Sequence, residues 1–199
     1  MVLQIINFKK FGKNQIFHFY LALFLFYTKQ IYPDDLMTKK LIVLFVLLCL
    51  GQTLIAQNAK KDTAQTSFMA TELLTFAKKH LSLRYRSGGT SKRGFDCSGF
   101  VRYCFSQFGF ALPHSSAAQS SHGVEIAVDE AKAGDLIFFK GHNSGSQRVG
   151  HVGMIVEVGA NYVKFIHSAW KGGIRYDFLH ADYYRKRFMG VRRIIRESK

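Results

Sequence analysis

The sequence predicts an α+β domain in which N-terminal helices pack on a central antiparallel β-sheet. Apolar residues recur at helical spacing between residues 66 and 121, whereas strand-like segments follow from residue 135 onward. Helices that come first and strands that come second favour a sheet with the helices packed on one face. The 199 residues provide one domain of ordinary size together with a targeting segment.

Two segments precede the predicted domain. Residues 1–36 lack a clean helical or strand period, and we interpret them as a mis-assigned upstream extension with Met37 as the true start. Residues 37–56 combine two early lysines, an apolar run and a cleavage-like Ala56, which is typical of a secretory signal peptide. The alternative is a tandem hydrophobic membrane anchor. We expect an exported protein of the periplasm, cell envelope or extracellular space, which meets the membrane only through its signal segment.

The mature chain is predicted to begin with a polar, flexible lead over residues 57–67, followed by the folded domain over residues 68–199. The apolar spacing over residues 66–81 predicts an amphipathic helix that starts at the end of the lead. Lys78 and Lys79 near its end suit the negative end of the helix dipole.

The second helix and the strands have clear boundary signals. Asp96 is a good N-cap for a helix that Gly109 ends, and Pro113 opens a short helix over residues 115–121. Strands are predicted over residues 135–140, 149–158, 162–167 and 188–195. The turn at residues 159–161 makes the second and third of these strands a hairpin.

Cys97 is the candidate nucleophile of the chain. A seven-residue step along one helix separates its Cα from that of Cys104 by about 10 Å, whereas a disulfide tolerates about 7 Å. We therefore expect no disulfide between them. Cys97 opens the helix, where the dipole and free N–H groups favour a thiolate and can stabilise an oxyanion. The alternative is a small buried hydrophobe, which is our interpretation of Cys104.

His151 is the candidate base. It starts a strand between Gly150 and Gly153, and such small residues allow another element to approach closely. His167 lies on the strand predicted to pair with it and is positioned to orient its imidazole. Four further histidines of the mature domain are interpreted as exposed polar residues: His114, His122, His142 and His180.

Six ordered segments resemble the NlpC family of bacterial cell-wall cysteine peptidases. They span nearly all of the mature chain. The segments are residues 84–89, 95–100, 112–114, 133–136, 150–153 and 165–168. The resemblance implies a reduced papain-like fold, in which the cysteine helix packs against the central sheet.

The resemblance also implies a role for individual residues. It gives a Cys97–His151–His167 triad, with Tyr85 facing the nucleophile at the oxyanion site and with Asp96 and Ser98 beside it as substrate-binding positions. Two features depart from the family. The hairpin between the two histidines is longer than in many members, and His114 stands where many relatives carry Arg.

The implied activity is hydrolysis of the γ-D-glutamyl–diamino acid bond in peptidoglycan stem peptides through a thioester. The alternatives are an amidase or acyltransferase on the same scaffold and a non-catalytic wall-binding protein. We expect no metal or cofactor, since no cluster has ligand spacing. The net charge of +15 favours an anionic partner. No nucleic-acid-binding motif accompanies this charge, so we expect no nucleic-acid partner. We expect a monomer whose partners are peptidoglycan stem peptides.

Overall fold

The computed structural model describes residues 36–196. The predicted upstream extension therefore lies outside the described residues, apart from its last residue. The chain divides into two units, with the boundary between Ala59 and Lys60. The sheet and the candidate site belong entirely to the second unit.

The first described element is a long helix, α1, which covers Leu36–Lys78. Residues 57–67, predicted as a flexible lead, are helical in the structure, and this stretch contains neither Gly nor Pro. The last turns bury Leu73, Leu74 and Ala77 against the domain. Within residues 36–196, no helix is both long and apolar enough to cross a lipid bilayer. The signal peptide and the domain boundaries stay predictions.

Short helices and strands make up the remainder of the described chain. The helices are α2 (Cys97–Ser106), α3 (Ser116–Gln119) and α4 (Asp182–Arg185), with a 3-10 turn at Val128–Glu130. The strands are β1 (Thr90–Ser91), β2 (Gly94–Phe95), β3 (Val124–Ile126), β4 (Leu136–Lys140), β5 (Val149–Gly159), β6 (Tyr162–Ala169), β7 (Gly173–Phe178) and β8 (Phe188–Arg193). The four predicted strands are confirmed as β4, β5, β6 and β8, whereas β1, β2, β3 and β7 were not predicted.

Strands β3 to β8 form one six-stranded sheet in the order β3-β8-β4-β5-β6-β7, and every neighbouring pair is antiparallel. Helices α1 and α2 contribute to a core that includes Leu73, Phe100 and Met154. A second cluster includes Phe139, Phe165 and Tyr184. The α+β architecture with helices packed on an antiparallel sheet is confirmed.

The β5–β6 hairpin sets the positions of the two candidate histidines. Its turn consists of two residues, since Gly159 pairs with Tyr162. His151 lies near the start of β5 opposite Phe139 of β4, and His167 lies in β6 opposite Arg175 of β7. Both histidines are therefore carried by central strands that are paired on both sides.

Candidate active site

Cys97 is the first residue of α2, as the sequence predicts. Asp96 caps the helix in an extended conformation, and its carboxylate accepts the backbone N–H of Gly99 at 2.6 Å. The cap fixes the point at which the helix begins. The thiol therefore lies at the end of the helix where N–H groups lack partners along the chain.

Two buried hydrogen bonds hold the segment around the thiol from other elements. The hydroxyl of Ser168 in β6 donates to the carbonyl of Phe95 at 2.7 Å. The amide of Gln119 in α3 donates to the carbonyl of Ser98 at 3.0 Å. The chain is thus anchored on both sides of Cys97.

Burial controls the ionisation of the thiol. Burial raises the pKa of Cys97 to about 11, and the charge of Asp96 acts in the same direction. Backbone N–H groups of Val152, Ser98 and Cys97 itself lower this pKa but do not outweigh burial. The N–H groups at the helix start therefore favour the thiolate as predicted, but burial of the half-exposed Cys97 outweighs them in the resting site, because the enclosing residues remove water that would solvate a thiolate.

The two candidate histidines are in direct contact. Nε2 of His151 lies 2.7 Å from Nδ1 of His167, and the two rings are nearly perpendicular with centroids 4.8 Å apart. Gly153 makes room for this contact. A Cβ at position 153 would lie 3.2 Å from Cβ of His167 and 2.9 Å from the Phe165 ring. The small residue beside His151 thus permits the close approach that the sequence predicts.

The carboxylate of Asp177, which was not predicted from the sequence, contacts His167 on the side away from His151. Oδ2 of Asp177 lies 2.8 Å from Nε2 of His167, and the Tyr184 hydroxyl donates to the same oxygen at 2.8 Å. Arg175 also donates to it at 2.8 Å. Residues 174–178 alternate apolar and polar side chains after two glycines, and this pattern could have predicted β7, although it does not indicate that Asp177 contacts His167.

Both histidines are held neutral. Burial, followed by the neighbouring His167, lowers the pKa of His151 to about 3, and Asp177 only partly opposes this. Burial likewise lowers the pKa of His167 against the opposing effect of its Asp177 hydrogen bond. Aromatic rings provide much of the enclosure, since Phe139 lies beside His151 and Tyr184 beside His167.

Tyr85 lies at the same site as Cys97, as predicted. Both side chains line one cleft, and Tyr85 forms a parallel backbone bridge with Phe95. Burial, followed by the charges of Cys97 and Asp96, raises the pKa of Tyr85. The phenol therefore stays protonated at neutral pH and can donate a hydrogen bond.

Asp96 and Ser98 flank Cys97 and form a hydrogen-bonded group with His114. Neither is among the residues that line the cleft. The Ser98 hydroxyl donates to Asp96 at 3.1 Å, and Nε2 of His114 lies 2.8 Å from the other carboxylate oxygen. Hence His114 has a specific partner, which the sequence did not indicate. The substrate-binding roles of Asp96 and Ser98 stay predictions.

The cleft has a volume of about 1030 Å³ and contains Cys97, His151 and His167 in its lining. Its outer part combines cations with aromatic rings. Lys140 and Lys171 line it, and Trp170 there is 65% exposed, with its ring edge-on to His142 at 4.6 Å. The cleft can therefore take an extended, negatively charged ligand past a thiol and an oriented imidazole. A thiol and an imidazole in one cleft are the two groups that nucleophilic catalysis by a cysteine requires.

Comparison with known proteins places this site in a family. Residues 82–193 match the NlpC/P60 family. The chain is 40% identical over 112 residues to a probable endopeptidase of Haemophilus influenzae, covering 55% of this chain and 65% of the relative. It is 35% identical over 117 residues to the murein DD-endopeptidase MepS/murein LD-carboxypeptidase of Escherichia coli, covering 58% of each chain.

A solved structure gives the same result for the fold. An NlpC/P60 family protein from Bacillus cereus superposes with a TM-score of 0.58 at 34% identity, over 64% of this chain and 40% of that one. The chain therefore belongs to the NlpC/P60 family, whose domains have the papain-like fold predicted from the sequence. It spans less than two thirds of the length of each of these three relatives.

Proposed function

We propose that this chain is an exported cysteine endopeptidase that hydrolyses peptidoglycan stem peptides. The observation that carries the proposal is a thiol at the start of α2 in one cleft with the paired imidazoles of His151 and His167. Membership of the NlpC/P60 family and the name of the E. coli murein endopeptidase support the substrate class.

The first half of the reaction forms a thioester. Since Cys97 and His151 are both neutral at rest, the thiol proton passes to His151 as the sulfur attacks the acyl carbon. The carbonyl oxygen becomes an oxyanion, to which the protonated Tyr85 hydroxyl can donate. The His151 imidazolium then protonates the leaving amine, the C–N bond breaks, and the acyl group remains on sulfur.

The second half releases the acyl group. Neutral His151 takes a proton from water, whose oxygen attacks the thioester carbon. The C–S bond then breaks, and His151 returns its proton to the Cys97 sulfur. His167 accepts no proton in either half, because its role is to orient His151 through the 2.7 Å contact.

Two assignments of the cleaved bond are candidates. The family resemblance implies the γ-D-glutamyl–diamino acid bond of the stem peptide. The name of the E. coli relative favours a second assignment, a bond cut by a DD-endopeptidase or by an LD-carboxypeptidase in the same polymer. Lys140 and Lys171 in the cleft suit either substrate, since both are peptides that carry carboxylates.

The cellular setting of the proposal follows from the sequence. Residues 37–56 direct export, and the protein acts in the periplasm, the envelope or outside the cell. It functions as a monomer on stem peptides, without nucleic acid and without a metal or cofactor. Its membrane contact is limited to the signal segment.

Digestion of purified sacculi tests the activity. We expect the wild-type protein to release fragments whose masses identify the cleaved bond, and Cys97→Ala to release none. Cys104→Ala is the matched control, because Cys104 is fully buried in the core and lies outside the cleft. Its digest should contain the same fragments as the wild type.

Other results of the sacculus digest would contradict the proposal, and most of them would identify an alternative function. Unchanged lysis by Cys97→Ala would refute the catalytic assignment. Acyl transfer without net cleavage by the wild type would indicate an acyltransferase, and loss of an amide group other than a peptide bond would indicate an amidase. Sacculus binding without any bond cleavage would indicate a wall-binding protein.

A further inference from the structure

One oxygen atom of Asp177 collects hydrogen bonds from three side chains. His167, Tyr184 and Arg175 each contact Oδ2 at 2.8 Å. The Tyr184 hydroxyl also lies 3.3 Å from Nε2 of His167, so the tyrosine and histidine lie side by side at this oxygen. His167 is 1% exposed, and Asp177 is 23% exposed. The carboxylate thus joins a fully buried imidazole to the edge of the cleft.

The chemistry of these groups determines where the protons lie. An ionised carboxylate only accepts hydrogen bonds, so Nε2 of His167 must carry a hydrogen. Burial raises the pKa of Asp177, but the hydrogen bonds from His167 and Tyr184 and the charge of Arg175 outweigh it and lower the pKa overall. The carboxyl group is therefore ionised at neutral pH.

The tautomer of His167 then determines the tautomer of His151. Because His167 is neutral and protonated at Nε2, its Nδ1 has a lone pair and accepts a hydrogen bond. The atom 2.7 Å from that Nδ1 is Nε2 of His151, which must be the donor. His151 is therefore also the Nε2–H tautomer, and its Nδ1 is the nitrogen free to accept a proton.

We propose that Asp177, held by Tyr184, is a positioning residue that sets the tautomers of both histidines, so that His151 keeps Nδ1 free for the Cys97 proton. The catalytic part of this inference rests on the proposed function. Without the carboxylate, Nε2 of His167 keeps only the more distant Tyr184 hydroxyl as an acceptor, and His167 can carry its hydrogen on Nδ1. A hydrogen on Nδ1 of His167 would need a lone pair on Nε2 of His151 as its acceptor. The hydrogen of neutral His151 would then lie on its Nδ1, where it prevents His151 from accepting the Cys97 proton.

Arg175 determines how Asp177 exerts this effect. The guanidinium binds the same oxygen through Nε and Nη2 and offsets the negative charge. The carboxylate therefore acts mainly by accepting from His167 and only secondarily by stabilising an imidazolium. An amide oxygen in the same place would keep the acceptor, so Asp177→Asn and Asp177→Ala should behave differently.

Nitrogen NMR of the histidine rings in the full chain tests the proton positions directly. At neutral pH the wild type should show both His151 and His167 as Nε2–H tautomers. In Asp177→Ala, one or both should shift toward Nδ1–H, whereas Asp177→Asn should retain the wild-type pattern. An Nδ1–H tautomer for either histidine in the wild type would overturn the proposal without any need for a variant.

Kinetics provides the second measurement. We expect kcat of Asp177→Ala to fall by about 10-fold or more with KM little changed, since a wrong tautomer in an acid–base pair impairs turnover more than binding. Asp177→Asn should restore most of kcat. Asp182→Ala is the control, because Asp182 forms an exposed ion pair with Arg185, and its kinetics should match the wild type.

The two proposals can fail separately. A wild-type protein that cleaves no peptidoglycan but has the expected tautomers would refute the function and keep the proton arrangement. An active Asp177→Ala variant with unchanged tautomers and kcat would refute the positioning role and keep the function.

Discussion

At the residue scale, opposing effects act on the ionisation of Cys97, the proposed nucleophile. Three backbone N–H groups favour the Cys97 thiolate, but burial opposes it more strongly and raises the pKa to about 11. His151, the proposed base in the same cleft, has a pKa of about 3, again mainly because of burial. The resting pair is therefore thiol and imidazole, and a substrate must be present before the proton moves.

Alkylation measures this ionisation state. Iodoacetamide reacts with the thiolate, so we expect modification of the Cys97 peptide to rise about 10-fold per pH unit from pH 7 to pH 10. Mass spectrometry of that peptide gives the rate, and Cys97→Ala gives the background. Cys104 is fully buried and should remain unmodified while the protein is folded. A rate that reaches its plateau below pH 7 would instead indicate a preformed ion pair.

Some residues of the candidate site can be predicted from the sequence and others cannot, for a physical reason. Cys97 and His151 have local signals, a helix cap and flanking glycines, and the structure brings both into one cleft. Asp177 has no such signal, because its role depends on the pairing of β6 with β7. The sign of the Cys97 pKa shift was also missed, since burial is a property of the folded chain.

At the element scale, helix α2 depends on a backbone contact with the loop before it. The carbonyl of Gly89 accepts the backbone N–H of Asp96 at 3.0 Å and faces Gly99 on the helix. A Cβ at position 99 would lie 2.1 Å from that carbonyl oxygen. The absence of a side chain at residue 99 thus allows the loop and the helix to pack together.

Substitution of this glycine should reverse the usual effect of alanine in a helix. Alanine normally stabilises a helix interior by about 0.5–1 kcal/mol relative to glycine. At Gly99 the clash is with backbone, so we expect Gly99→Ala to lower the free energy of unfolding by about 1–3 kcal/mol. Urea unfolding measures the change. Arg102→Ala on the exposed side of α2 is the control and should have little effect, whereas a stabilised Gly99→Ala would contradict the contact.

The strands, too, were predicted only where their own sequence has a clear pattern. Strands β4, β5, β6 and β8 contain long apolar segments and were predicted close to their observed bounds. Strand β3 has three residues, none of them fully buried, and forms an edge of the sheet, so its sequence has no strong pattern. Residues 57–67 were predicted as flexible from their polarity, although polar residues without Gly or Pro are compatible with a helix.

At the scale of the whole molecule, the same burial that tunes the site also affects stability. His151 and His167 are carried by the central hairpin, between aromatic rings of the second core cluster. Both have pKa values below the ordinary value of 6.5. The folded protein therefore keeps them neutral at a pH where the unfolded chain protonates them.

The sign of the resulting pH dependence is determined by this difference. As the pH falls below 6.5, the unfolded chain binds protons and the folded chain does not, so stability decreases with acid. Each such histidine can cost about 1.4 kcal/mol per pH unit. The pKa of Asp177 is lowered from 3.8, so this carboxylate adds to acid unfolding only at a lower pH than the histidines do. Between about pH 4.5 and pH 6.5 the two histidines dominate among these three groups.

Thermal unfolding at pH 7 and pH 5 tests whether these histidines control acid stability. We expect the wild type to lose several degrees in Tm between the two conditions, and His151→Gln to lose less, because glutamine does not titrate. His122→Gln is the matched control, since the His122 ring contacts only the exposed carbonyl of Ala118 among the described hydrogen bonds. The control should reproduce the wild-type decrease in Tm. Equal decreases for the wild type and His151→Gln would show that His151 is not held neutral by the fold, and would remove the basis for a neutral resting pair.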